Sequence, residues 1–305
     1  MGYDLHLDST QYIYSHARAF DLHPDFYLLA AVEPDEQKQE DFYRTYKAPT
    51  YSDLDVALSQ HQPDVVVIAV STQLHAETLY NVLDKCKPKA VLCEKPLAYD
   101  FDDARNMVQL CQAKGVGLYV NYMRRSDPGV INVKKLIDSG EYQIPIKGVA
   151  WYSKGFIHNG SHFFNLIEYW LGPMKGFSLL EEGRLWDGVD PEPDVRVEFA
   201  KGVVIFLAAW EEAFSHYTIE LLSQSGRIRY EQQGGLIQWQ SVMDDPAYKG
   251  HNVLASRSEE ISSDMARSQW NVVNQLNQII EGKDGYLCTG SEALNTLESM
   301  SLIIK

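Results

Sequence analysis

With 305 residues and a mass of 34.7 kDa, the chain has room for two domains with cores of ordinary size. Its composition is that of a globular protein, 45% hydrophobic, 23% charged and 11% aromatic. A net charge of −15 argues against nucleic acid or an anionic membrane as partner, though a local basic pocket could still take an anionic small substrate.

No apolar run reaches the roughly 20 residues of a membrane helix. Met1-Gly2-Tyr3-Asp4-Leu5-His6 lacks the layout of a secretion signal. Cys86, Cys93, Cys111 and Cys288 have no metal-ligand spacing, and Cys93 reads as a buried thiol. That pattern fits a reducing compartment, so a cytoplasmic location is expected.

In chain order, Phe26 to Val32 reads as an apolar strand ended by Glu33-Pro34-Asp35. Glu36 to Tyr46 is a charged amphipathic helix, and Ser52 to Gln60 another, capped at Ser52. Asp64 to Val70 is a buried strand, Gln73 to Asp84 a helix and Lys89 to Cys93 a third strand. Phe101 to Lys114 is a helix closed by Gly115, and Gly117 to Val120 begins a fourth strand. Buried strands alternating with helices predict βαβ units and a parallel sheet covered on both faces.

After Asn121 the pattern changes. Pro128 to Ser139 reads as a helix closed by Gly140, Ile144 to Ser153 as a strand, and Ser161 to Leu171 as a helix. From Phe177 to Val242 strands dominate, with hairpin turns expected at Lys201-Gly202 and Ser225-Gly226. Asp244 to Asn252 reads as a loop, and two helices follow, roughly Ser262 to Glu281 and Ser291 to the end. The second half is therefore expected to be α+β, a mostly antiparallel sheet with helices on one face. The division expected is 1–122 and 123–305.

The run Leu92-Cys93-Glu94-Lys95-Pro96-Leu97 resembles the Glu-Lys-Pro motif of the Gfo/Idh/MocA oxidoreductases, the family of glucose–fructose oxidoreductase and inositol dehydrogenase. Further segments come in register with it. Ser15-His16-Ala17 with Phe20 resembles the family's first helix, and Val32-Glu33-Pro34-Asp35 the end of its second strand. Ala69-Val70-Ser71-Thr72 through His75 resembles the next turn, and Asn121-Tyr122-Met123-Arg124-Arg125 the crossover into the second domain. Gly155 to Gly172 resembles the substrate-side helix. The resemblance implies a Rossmann-type doubly wound parallel sheet followed by an α+β domain, NAD as cofactor and a sugar-type substrate. It also implies a homodimer or homotetramer.

Family members open with a strand and a GxGxxG turn; nothing of the kind precedes His16. Gly2-Tyr3-Asp4 resembles the residues after the third glycine, so one strand and its turn, on the order of 10 to 15 residues, read as missing. The N–H groups of that turn bind pyrophosphate, so the chain as written is expected to be unstable or to bind NAD poorly.

Glu33, at a strand end, suits the ribose hydroxyls and repels a 2′-phosphate, which favours NAD over NADP; on its own it also reads as a solvated turn carboxylate. Lys95 follows a buried strand at its carboxyl end, where its ammonium can stabilise charge on a reacting oxygen. Glu94 is expected to orient that region, and the resemblance implies a cis Lys95–Pro96 bond. His162 is by resemblance the catalytic histidine, an imidazole suited to moving a hydroxyl proton. Four residues earlier the family usually has aspartate; here stands His158, which either shares the proton work or marks different chemistry. Asn165 also stands where an aspartate is frequent. Two histidines four apart could hold a metal, but no third ligand is placed for it, and none is expected.

Ser71, Thr72, His75 and Asn121 are cofactor-side residues by resemblance. Arg124, Arg125, Lys154 and Asn159 are candidate substrate contacts, the cations suiting phosphate or carboxylate unless they are ordinary surface charges. Tyr122 and Tyr152 either stack on a sugar or fill an interface. The function expected is hydride transfer between NAD and a sugar, polyol or nucleotide-sugar hydroxyl. An NAD-retaining epimerisation or elimination, a non-catalytic sugar or dinucleotide sensor, and an inactive fragment of such an enzyme are the alternatives.

Overall fold

The computed structural model describes residues 4–305, so Gly2 and Tyr3 of the expected post-glycine segment lie outside it. The chain divides into two compact units. The first runs to Ser126 and regains residues Ala266–Leu294; the second comprises Asp127–Met265 and Asn295–Lys305. The expected single boundary at 122–123 is thus corrected. The returning segment belongs to the first unit because Cys288–Thr289 adds an antiparallel strand beside Gly117–Val120. Its helix Ser268–Ile280 also buries Val272, Val273 and Leu276 against Ile13, Phe20 and Leu92.

In the first unit a four-stranded sheet has the order Cys288–Thr289, Gly117–Val120, Ala90–Cys93, Val65–Ile68. The last three strands are parallel, and every residue of Ala90–Cys93 is buried. Such all-round burial is why that strand reads as an unbroken apolar run. A separate parallel pair joins Ala31–Val32 to Thr50–Tyr51. The strand expected over Phe26 to Val32 is therefore only two residues long: among the described residues it finds a ladder partner on one side only.

Helix caps follow side-chain chemistry. Asp53, not Ser52, caps Leu54–Gln60 by accepting from the Val56 N–H. The helix His16–Leu22 has no bond from its own cap residue. Instead the buried Asp4 accepts from the N–H groups of Tyr14 and Ser15 and lies 3.8 Å from Arg18.

In the second unit a nine-stranded mixed sheet carries the core. Among the described residues its one parallel pair is Ile146–Tyr152 with Gly202–Ala208, within the mostly antiparallel sheet expected. One face packs against the helices Pro128–Asp138 and Ser161–Leu171 and against Met300 and Ile303 of Gly290–Ile303. The hairpin registers pair Phe199 with Gly202 and Ser223 with Gly226, so each turn sits one residue earlier than expected. Phe163, Phe164, Leu166, Ile167, Trp170 and Leu171 are fully buried. At ~1.5–3 kcal/mol per such side chain, they fix the helix that begins beside His162 firmly to its sheet.

Candidate functional site

Glu94 follows the buried strand Ala90–Cys93, at the carboxyl end of the parallel sheet. Nε2 of His16 lies 2.7 Å from its Oε1, and the Asn121 Nδ2 donates to the same oxygen at 2.8 Å. The Lys95 N–H donates to Oε2 at 3.2 Å. Burial pushes the Glu94 carboxyl up, but the hydrogen bond and charge of His16 and the donors from Asn121 and Lys95 outweigh it, so it ends below its ordinary value. The carboxylate is thus anchored on three sides, and the backbone it orients leads straight into Lys95. The Lys95–Pro96 peptide is cis, as the resemblance implies.

The pattern of the sequence does not single out His16 as a site residue. A usable signal exists: in a doubly wound sheet the N-terminus of the first helix lies at the carboxyl ends of the strands. His16 is the first residue of that helix. Its Nδ1 and the Oδ1 of Asn121 are buried without a partner among the described residues, although Asn121 is only 3% exposed. One can donate and the other accept, so the pair fits the polar end of a nicotinamide, whose carboxamide offers both.

Other first-unit candidates are placed differently. Glu33 accepts from the Asp35 N–H at 3.1 Å within its own turn, and its backbone N–H bonds Tyr51 across the short sheet. Ser71 is exposed at the start of the 3₁₀ turn Thr72–Leu74. His75 is buried, with one ring nitrogen 3.1 Å from the Leu97 carbonyl and the other 3.1 Å from that of Val70. Both nitrogens therefore tie the chain to itself. Tyr122, Arg124 and Arg125 are buried, so neither arginine is the surface cation of the simpler reading. Arg125 donates to Glu292 at 2.6 Å, and that pairing holds the Glu292 carboxyl below its usual range in spite of burial.

In the second unit Lys154 has a left-handed backbone (φ 63°) and leads into a π-helical turn, Gly155–Gly160, followed by the helix Ser161–Leu171. His158 is exposed on the turn, Asn159 is half-buried beside it, and His162 lies in the first turn of the helix. The His158 ring stacks on Trp186, with centroids 5.0 Å apart and planes at 21°. Asn165 instead donates to Thr296 at 3.0 Å inside the unit. Tyr152 is buried, with its hydroxyl donating to the Pro193 carbonyl, so it fills the core and is not a sugar platform. No metal-capable cluster of His, Cys, Asp and Glu occurs among the described residues. Two surface clefts of this unit, of about 490 and 410 Å³, contain none of the candidate residues.

Residues 10–122 match a family described as an oxidoreductase family with an NAD-binding Rossmann fold. The chain is 24% identical over 244 residues to the 2,7-anhydro-N-acetylneuraminate hydratase of Escherichia coli K12, covering 71% of this chain and 64% of that one. It is 41% identical over 91 residues to the inositol 2-dehydrogenase of Mycolicibacterium smegmatis, covering 30% of this chain and 26% of the relative. The chain thus spans less than two thirds of the length of either relative. Among solved structures, an NAD-binding oxidoreductase from Klebsiella pneumoniae superposes with a TM-score of 0.78 at 16% identity, covering 95% of this chain and 93% of the other. The WlbA dehydrogenase of Bordetella pertussis, in complex with NADH and UDP-GlcNAcA, gives 0.75 at 18% identity over 94% and 90%. At these identities the superpositions establish the fold.

Proposed function

From the match of residues 10–122 to an NAD-binding oxidoreductase family, we propose that the chain is a Gfo/Idh/MocA-type dehydrogenase moving a hydride between NAD and a hydroxyl-bearing carbon of a sugar, polyol or nucleotide-linked sugar. The observation that carries this reading is the anchored Glu94–Lys95 pair at the carboxyl end of the buried strand, where open α/β sheets bind their ligands. NAD, when bound, supplies the two-electron acceptor. Lys95 hydrogen-bonds the substrate oxygen and stabilises the charge that grows on it. Glu94, fixed by His16 and Asn121, keeps the Lys95 backbone in place. His162 takes or gives the hydroxyl proton, with His158 assisting. The inositol dehydrogenase relative and the fold shared with a UDP-sugar-binding dehydrogenase support a polyhydroxylated substrate. Arg124, Arg125, Lys154 and Asn159 enter as lesser candidates, the two arginines through their buried positions and not as direct contacts. A homodimer or homotetramer in the cytoplasm completes the proposal, the location supported by four buried cysteine thiols.

The test is Lys95→Met. Turnover of a polyol or UDP-sugar is expected to fall by about 10²–10³-fold while calorimetric NADH binding persists. Unchanged turnover, or binding lost together with it, defeats the role given to Lys95. The likeness to a hydratase favours a second reading, in which oxidation opens an elimination or hydration and the cofactor is restored within the cycle. Cofactor copurifying with the protein, and no free NADH accumulating during product formation, would select that version.

A further inference from the structure

The helix that carries His162 begins without a cap of its own. Neither Lys154, before the π-helical turn, nor Gly160, before the helix, makes a side-chain cap bond. Four N–H groups at such a start need acceptors. They find them on a hairpin some thirty residues later, Leu185–Trp186 paired with Asp190–Pro191. Asp190 Oδ1 accepts from the Ile157 N–H at 3.0 Å and Oδ2 from the His158 N–H at 2.7 Å, with the Phe156 N–H adding to them. Glu192, fully buried, accepts from the Gly155 N–H at 3.0 Å and from Arg184 Nε at 2.8 Å. Two carboxylates two residues apart, one on the strand and one just after it, thus cap the turn from outside.

The fit is close enough to dictate residue type. Gly155 has φ +83°, and a Cβ there would come within 2.2 Å of Asp190 Oδ2. A Cβ on Gly183 (φ +73°) would meet the Glu192 carbonyl oxygen at 1.9 Å. Glycine at 155 lets the turn close on the hairpin, and glycine at 183 lets the chain before the hairpin close on the backbone after it. On the same hairpin Trp186 presents its ring to the His158 ring.

We propose that Asp190 is a positioning residue for the substrate-side histidines: it holds the backbone of residues 157 and 158, sets where His158 stands against Trp186, and fixes the entry to the helix bearing His162. The hairpin replaces, from outside the helix, the carboxylate that the family usually carries at position 158 itself. What the histidines do rests on the dehydrogenase reading; that Asp190 places them does not. An amide is no substitute. Asn at position 190 keeps one acceptor oxygen and turns an NH₂ towards a backbone N–H that needs an acceptor.

The test uses the full chain, isotopically labelled, with the ring resonances of His158 and His162 assigned through His158→Gln and His162→Gln. In Asp190→Asn the Ile157 and His158 amides are expected to exchange about tenfold faster or more, and both histidine ring signals to move. Trp186→Ala should move the His158 ring signal and leave those amides protected; Trp186→Phe should restore the ring signal. Asp127→Asn, which weakens a buried carboxylate cap elsewhere in the unit by removing one of its acceptor oxygens, is the control for general loosening. Unchanged amides and ring signals in Asp190→Asn overturn the proposal, as do equal shifts in Asp127→Asn. If Asp190→Asn fails to fold, an unmoved His158 signal in Trp186→Ala still overturns the placement. Turnover is read in parallel with myo-inositol and NAD. A parent inactive on it and on every other polyol tried counts against the dehydrogenase reading, while the resonance shifts still decide the role of Asp190. Where the parent is active, Asp190→Asn should lower kcat more than it alters KM.

Discussion

Glu94 in the first unit and Asp190 in the second are both carboxylates taken largely out of water, and each accepts a hydrogen bond from a histidine, from the ring in one case and the backbone in the other. Their acidities nevertheless move in opposite directions. Burial pushes both up. For Glu94 the His16 ring brings a hydrogen bond together with charge, and with Asn121 and Lys95 it overcomes the burial. For Asp190 the donors are backbone N–H groups alone, and the neighbouring Glu192 adds repulsion, so the carboxyl stays above its ordinary value. Backbone N–H bonds lower the pKa of both carboxyls, but at Asp190 they do not outweigh burial, whereas at Glu94 the added interactions with His16 tip the balance. The first unit has a carboxylate tuned to stay ionised beside Lys95. The second has one whose work is geometric.

The sharpest way to break this contrast is Gly155→Ala. It combines a left-handed backbone with a methyl on Asp190, and a loss of about 3 kcal/mol or more in urea unfolding is expected. A variant as stable as the parent would show that the hairpin does not grip the turn. Next comes Glu94→Gln, which keeps the shape but removes the acid from His16; about 1–3 kcal/mol should be lost at neutral pH. The smallest effect is the pH slope. Because the folded pKa of Glu94 is lowered, its contribution is complete above the ordinary value of 4.5 and fades as pH falls through the folded value. Asp190 has a raised folded pKa, so it weakens the fold above that value and recovers as pH falls towards the ordinary 3.8. Urea midpoints between about pH 3.5 and pH 6 should therefore fall less steeply on acidification in Glu94→Gln and more steeply in Asp190→Asn. Parallel slopes in all three proteins would refute the opposite tuning.

The helices Glu36–Tyr46, Phe101–Lys114 and Ser161–Leu171 and the strand Gly117–Val120 stand where the sequence places them. Each is announced locally, by an Asp cap, a closing glycine or an unbroken apolar run. The cis peptide beside Lys95 is legible through family likeness, not through residue chemistry. What the sequence hides is everything set by partners distant in the chain. The short pairing of Cys288–Thr289 beside Val120 has no alternation to reveal it, so a single boundary near Tyr122 divides the chain too simply. The burial of Arg124 and Arg125 is equally hidden, since Arg125 pairs with a glutamate more than 160 residues away. The hairpin at 185–191 does leave a trace: Asp187-Gly188, both with positive φ, is a turn signal between Trp186 and Val189. That Asp190 and Glu192 both cap a helix entry thirty residues upstream is written only in the folded arrangement.

The thiols of the first unit give the molecule a built-in clock. Cys93, the residue before Glu94, is fully enclosed, and burial drives its pKa well above the ordinary range; the pKa of Cys111 is pushed up to about 11 and that of Cys86 is raised as well. Only the thiolate reacts with alkylating reagents, so the native protein should be almost silent towards them at neutral pH. The rate at which Cys93 is labelled then measures how often the strand beneath Lys95 parts from its neighbours. A bound cofactor that braces the site should slow that labelling in proportion to its occupancy.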